Sequence, residues 1–229
     1  MKNYTTNYDR DKIVKYLLLL SLVLSFSFNK YFFPFVFEPI LDILKKTDAD
    51  LYNLLLNTDW LLKTLEYTVF YQVLYSLYDK KLWKTKIFNR FNLCMIPNIN
   101  GKWFGESVSS RKNDDGMLIT RCMEIDIVQS FTKIKVTCCF FTDDERSNQT
   151  SVSYNDVSGL YFDEASVTLK FVFKNRSKEV HTESKNYMGY NEFEINTALD
   201  EMDGDYFTGR DSGQHNGKMK LKRVLTDGH

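Results

Sequence analysis

Tyr206, Thr208 and Arg210 occupy alternate positions. On an extended strand such residues share one face, because strand side chains alternate with a period of two. A phenol, a hydroxyl and a guanidinium on one face can stack on a planar group, donate a hydrogen bond and neutralise an anion. Other polar residues extend apolar faces in the same way. Gln129 continues the face of Ile127, Asn175 that of Phe173, and Ser109 lies on the face of Trp103 and Ser107. If these faces point inward, polar groups from several strands gather towards one mouth of an otherwise apolar interior. Buried polar groups need hydrogen-bond partners, which a polar ligand or water would supply.

No set of catalytic residues is legible. The chain has no Walker loop, HExxH, GxSxG or dinucleotide-binding glycine fingerprint. His181, His215 and His229 lack ligand or triad spacing, and Asp143-Asp144-Glu145 and Asp200-Glu201 read as acidic loops. The cysteines at 94, 122, 138 and 139 show no CxxC pair, which fits free thiols in a reducing compartment. The expectation is a protein that is not an enzyme, with no metal and no cofactor. Formal net charge is zero, so nothing draws the whole chain to DNA or RNA.

Short alternating runs separated by turn residues supply the scaffold. Met123, Ile125 and Ile127 alternate with Glu124 and Asp126; Ile134, Val136 and Cys138 with Lys133, Lys135 and Thr137; Val167, Leu169, Phe171 and Phe173 with Thr168 and Lys170. Further runs lie near 102–108, 149–154, 192–195, 203–208 and 218–223. About eight antiparallel strands without intervening helices can close an up-and-down, lipocalin-like barrel that is either packed or holds one small ligand. This all-β domain is expected over residues 91–229.

Residues 1–90 differ in composition and are expected to form a membrane region of two transmembrane helices. Residues 14–37 are mostly Leu, Val, Phe and Ser, interrupted by Asn29-Lys30, and residues 60–78 are rich in Leu, Tyr and Val but include Lys63 and Glu66. About 20 apolar residues are needed to cross a bilayer as a helix. Lys63 and Glu66 are three apart and could pair on one helical face; a surface amphipathic helix is the alternative for this segment, and a signal peptide for the first. Basic residues outside the two segments and Glu38, Asp42, Asp48 and Asp50 between them place the barrel in the cytoplasm of a multi-pass inner-membrane protein by the positive-inside rule.

Several segments in order carry a resemblance. Residues 96–105 read IPNINGKWFG, 123–130 MEIDIVQS, 169–175 LKFVFKN, and 204–210 GDYFTGR, which is followed by GKMKLKR at 217–223; YDKKLWK at 78–84 precedes them. The chain resembles, over about residues 60–225, the CBASS anti-phage effectors that join two transmembrane helices to a β-barrel cyclic-nucleotide receptor. The resemblance implies that a partner synthase makes a cyclic dinucleotide, that the barrel binds it, and that the protein then forms a homo-oligomer which disrupts the inner-membrane lipid bilayer. Two bases for stacking and two phosphates would suit Tyr206, Thr208 and Arg210. Trp103 could stack a base or plug the barrel beneath Arg223. The alternatives are a membrane-tethered lipocalin-like carrier of an apolar ligand and an anchor that recruits a protein.

Overall fold

The computed structural model describes residues 1–90, 94–177, 187–210 and 213–224, with the side chains of 59, 62, 89, 177, 210, 213 and 214 outside the description. The chain divides into two units: Met1–Tyr8 with Met95–His229, and Asp9–Cys94.

Among the described residues, nine strands build the first unit: β1 (Lys2–Thr6), β2 (Gly101–Lys112), β3 (Leu118–Gln129), β4 (Lys133–Phe141), β5 (Gln149–Phe162), β6 (Val167–Ser177), β7 (Tyr187–Ile195), β8 (Glu201–Arg210) and β9 (Gly213–Arg223). They close into a barrel in the order β1-β4-β3-β2-β9-β8-β7-β6-β5. From β2 to β9 each strand pairs antiparallel with the next, and β2 also pairs with β9. Alternation sets the inner face: Ile125, Ile127, Ile134, Val136, Leu169, Phe171, Phe193, Met219 and Leu221 are all buried. Charged residues fill the outer positions and pair across strands, as in Lys102–Glu124 and Lys170–Glu192. Such exposed pairs contribute about 0–1 kcal/mol each.

The interior is narrow, and glycine relieves it. Phe173 faces Gly189, Phe193 faces Gly204 and Tyr206 faces Gly217 across three successive strand pairs. In each pair the aromatic ring occupies the space that a Cβ on the glycine would take.

The expected fold class is corrected on two points. First, the wall has nine strands and is not all antiparallel. Lys2–Thr6 is inserted between β4, with which it runs antiparallel, and β5, with which it runs parallel. Second, among the described residues no helix is long and apolar enough to cross a membrane.

The second unit shows why. The apolar run over residues 14–37 is not one helix. It comprises α1 (Asp11–Ser27), a π-turn (Phe28–Phe32) and the start of α2 (Phe33–Thr47), which has Pro34 in its first turn and Pro39 inside it. With 17 residues, α1 rises about 26 Å, short of a hydrocarbon core about 30 Å thick, and it contains Asp11, Lys12 and Lys15. The Asn29 side-chain amide donates to the Ser25 carbonyl at 3.1 Å. α3 (Ala49–Asn57) leads into α4 (Asp59–Lys80), which is 22 residues long but carries Asp59, Lys63, Glu66, Asp79 and Lys80. A short α5 (Lys86–Arg90) follows. The orientation argument from flanking charges therefore has no spanning helix to act on, and the multi-pass inner-membrane location loses its support.

α1 packs along α4. Its buried positions Ile13, Leu17, Ser21 and Ser25 recur every four residues. Tyr67 donates to the Leu18 carbonyl at 3.3 Å, and the Asn29 amide donates to Glu66 Oε2 at 2.8 Å. Leu19, Leu22, Val23 and Phe26 remain exposed.

Candidate ligand-binding site

The sequence-predicted site residues fall at two opposite ends of the barrel. Trp103 and Gln129 lie at the end where β2 begins and β3 stops. Trp103 is fully buried, its indole N–H donates to the Ile99 carbonyl at 3.2 Å, and the Arg223 guanidinium lies 5.4 Å from its ring centre. Arg223 also donates to the carbonyls of Leu199 and Asn100. Gln129 accepts from the Ile99 N–H at 3.0 Å, and its amide donates to the Pro97 carbonyl at 3.1 Å. Tyr4 of β1 donates to the Phe131 carbonyl at 3.0 Å beside it. Every polar group in this cluster is engaged in tying chain segments together.

Ser109, Asn175, Tyr206 and Thr208 lie at the other end. Cross-strand register links them: Ser109 faces Gly217, Gly217 faces Tyr206, and Thr208 faces His215. Thr208 is buried and donates to the His215 carbonyl at 3.3 Å. Asn175 is buried and accepts from the Ser153 hydroxyl at 2.7 Å. Tyr206 is half-buried, with its ring held against Gly217. The backbone of Arg210 ends β8 at this end, while its side chain lies outside the described residues; His181 and His229 also lie outside them.

Four residues that sequence reasoning left without a role join this end. Ser107 and Ser153 are buried on the inner face. Arg121 faces Ser107 across the β2–β3 pair and is half-buried; it has no ion-pair partner among the described residues. Asn191, next to Tyr206 in register, is 2% exposed, and its Oδ1 accepts no hydrogen bond. A buried acceptor left unpaired costs about 1–3 kcal/mol. Phe173 and Tyr187 meet edge to face at 6.2 Å beside Asn175. A surface concavity of about 490 Å³ is lined mainly by outer-wall residues, Lys2, Tyr154, Asp156, Lys174, Arg176 and Met188, and touches Asn175 and Tyr187. A larger one of about 760 Å³ is lined mainly by Glu106, Glu192, Asp203, Asp205, Lys218 and Lys220, which alternate with inner-face residues. It lacks the amide and hydroxyl lining described above.

Amides, hydroxyls and aromatic rings thus gather above an apolar floor with a cation beside them, chemistry suited to a small polar ligand. Comparison with known proteins agrees. The Cap15 cyclic dinucleotide receptor domain matches residues 94–223, and this chain belongs to that family of CBASS effectors. It is also similar to CD-NTase-associated protein 15 of Yersinia aleksiciae, at 25% identity over 157 residues that cover 67% of each chain.

Proposed function

We propose that a cyclic dinucleotide binds at the barrel end lined by Ser109, Asn175, Tyr206 and Thr208, with Ser107, Asn191 and Arg121 completing the site. The observation that carries this reading is the unpaired Asn191 Oδ1, buried where amides and hydroxyls converge. A base amino or imino group would donate to it. Tyr206 and Tyr187 offer stacking surfaces, and Arg121 a charge-assisted bond to phosphate. Arg210 ends the strand that bears Tyr206 and Thr208, and is assigned to the same phosphates. The polar lining disfavours an apolar cargo, which needs an uninterrupted apolar wall.

The messenger comes from a partner CD-NTase. Binding favours an oligomer, and the oligomer damages a lipid membrane through the exposed apolar residues of the helical unit, Leu19, Leu22, Val23 and Phe26 among them. A ligand can drive assembly only by binding the assembled form more tightly than the monomer.

Thermal unfolding of the full chain against cyclic di-AMP, cyclic di-GMP and cyclic UMP–AMP tests the first step. A cognate ligand at 100 times its dissociation constant adds about 2.7 kcal/mol. No shift with any cyclic dinucleotide, alongside a shift with fatty acids, would return the carrier reading.

A further inference from the structure

The wall of the barrel contains a gap, and the N-terminus of the chain fills it. β4 and β5 pair with each other only from Thr137–Tyr154 to Phe141–Gln149. Past that point β5 is bulged between Asn155 and Val157. The Asn155 carboxamide makes the last tie, accepting from the Val136 N–H at 2.9 Å and donating to the Ser158 hydroxyl at 2.7 Å. Beyond it the two strands part, and β1 lies between them. Lys2 and Asn3 pair with Ile134 and Lys133 on one side; Tyr4, Thr5 and Thr6 pair with Ser158, Gly159 and Leu160 on the other.

Side chains fix this strand in place. Tyr4 is 4% exposed. Lys2 pairs with Asp156, which also holds Lys174. The Asn7 carboxamide closes a reciprocal pair with the Phe162 backbone, and the Tyr8 ring meets Phe131 edge-on. All these partners lie more than a hundred residues further along the chain, whereas α1 begins at Asp11, only four residues after β1 ends.

An empty gap would leave backbone groups of β4 and β5 unpaired, which is costly when buried and adhesive when exposed. The same five residues from a second copy would restore the β1 pairings and the Lys2 and Tyr4 contacts, and Asn7 and Tyr8 would follow with them, because the chains are identical. Exchange of an element between identical chains costs little beyond association entropy and hinge strain, and non-reciprocal exchange makes open chains.

We propose that the β4–β5 gap is a self-association surface whose partner is residues 2–6 of a second copy, and that ligand-driven assembly proceeds by exchange of this strand. The proposal rests on the reading that the ligand drives oligomerisation. The connection of residues 7–10 sets the geometry. At about 3.3–3.6 Å per extended residue it reaches roughly 14 Å, which limits how far the exchanged strand can travel.

The test uses Asn3 and Lys133, an exposed cross-strand pair. Three native thiols, Cys94, Cys122 and Cys138, are buried; the Cys122 hydrogen bond to Asp144 at 2.6 Å together with burial pushes its pKa up to about 11, burial raises Cys138 too, and mapping separates any disulfide at the half-buried Cys139. The full-length double variant Asn3→Cys/Lys133→Cys, oxidised without ligand, forms the disulfide within one chain and shows that the geometry permits it. Full-length Asn3→Cys and Lys133→Cys proteins are then mixed, incubated with each cyclic dinucleotide of the panel, oxidised and mapped by mass spectrometry, with particle size followed by light scattering. Exchange predicts that particles grow and that a disulfide joins Cys at 3 of one copy to Cys at 133 of another. Growth without that disulfide overturns exchange and leaves ligand-driven oligomerisation standing. If the wild-type chain binds ligand and does not grow, both fall together.

Discussion

The Tyr206 ring occupies the space beside Gly217 on the neighbouring strand, where a methyl group would meet both the ring and the Val108 carbonyl. The same arrangement recurs at Phe193–Gly204 and Phe173–Gly189, so a row of rings crosses the inner wall from β6 to β9. Tyr206 therefore presents a fixed surface to the polar end of the barrel.

Gly217→Ala displaces that ring. Overpacking a fitted interior costs about 1–3 kcal/mol, and cyclic dinucleotide affinity falls with it. Gly209→Ala is the control, because a Cβ there meets nothing within 4 Å; its effect on stability stays within about 0.5 kcal/mol. Urea unfolding and calorimetry of both full-length variants check the contrast.

Asn191→Leu separates binding from folding. It replaces an unpaired buried acceptor with an apolar group of similar volume, so stability without ligand holds or rises. Affinity for the cognate cyclic dinucleotide drops by about 1–3 kcal/mol, the cost of a hydrogen bond removed from a buried donor. A variant that binds as tightly as wild type in calorimetry takes Asn191 out of the site.

Arg121→Gln removes the half-buried cation opposite Ser107. Charge-assisted bonds to phosphate are worth about 1.5–3 kcal/mol, and the loss shows as weaker binding with a shallower dependence on salt. Arg210→Ala is expected to act in the same direction. Fluorescence titration at two ionic strengths reads both.

Acid loosens the N-terminal strand. Hydrogen bonds from Lys174 and Lys2, in that order, hold the Asp156 carboxyl down to about 2 from its ordinary 3.8. A depressed carboxylate favours the docked strand above the ordinary value, and that contribution fades as pH falls from 3.8 through about 2. Amide exchange of residues 2–6 is expected to accelerate across this window beyond the intrinsic trend. Asp156→Asn starts with faster exchange and shows no extra acceleration. Identical pH profiles for the two proteins would count against the Lys2–Asp156 tie.

The barrel wall was legible where one face is buried and the other wet. In β3 and β6 the apolar residues alternate without interruption, so their strands and inner faces could be read directly. Extending the period also located Ser109, Asn175 and Thr208. Run backwards from Met123 the same period reaches Arg121, and from Phe193 it reaches Asn191. β5 was less tractable, because its bulge puts both Asn155 and Ser158 on the buried side and breaks the alternation. β1 carried no local signal: Lys-Asn-Tyr-Thr-Thr is polar, and only its distant partners make it a strand. The helical unit misled for another reason. Composition shows a long apolar run, but it passes through α1, a π-turn and α2, and the charged residues of α1 and α4 fall within the helices.

The position of β1 in the chain also sets an order of events during synthesis. Lys2 and Asp156 are separated by 154 residues, so at about 5–20 residues per second the first strand waits roughly 8–30 s on the ribosome before its second flank exists. The first-made strand cannot be seated until β4 and β5 have both been made. On a crowded polysome a neighbouring nascent chain offers the same gap at the same moment. The choice between a self-contained barrel and a linked pair is thus first posed during translation, before any messenger arrives.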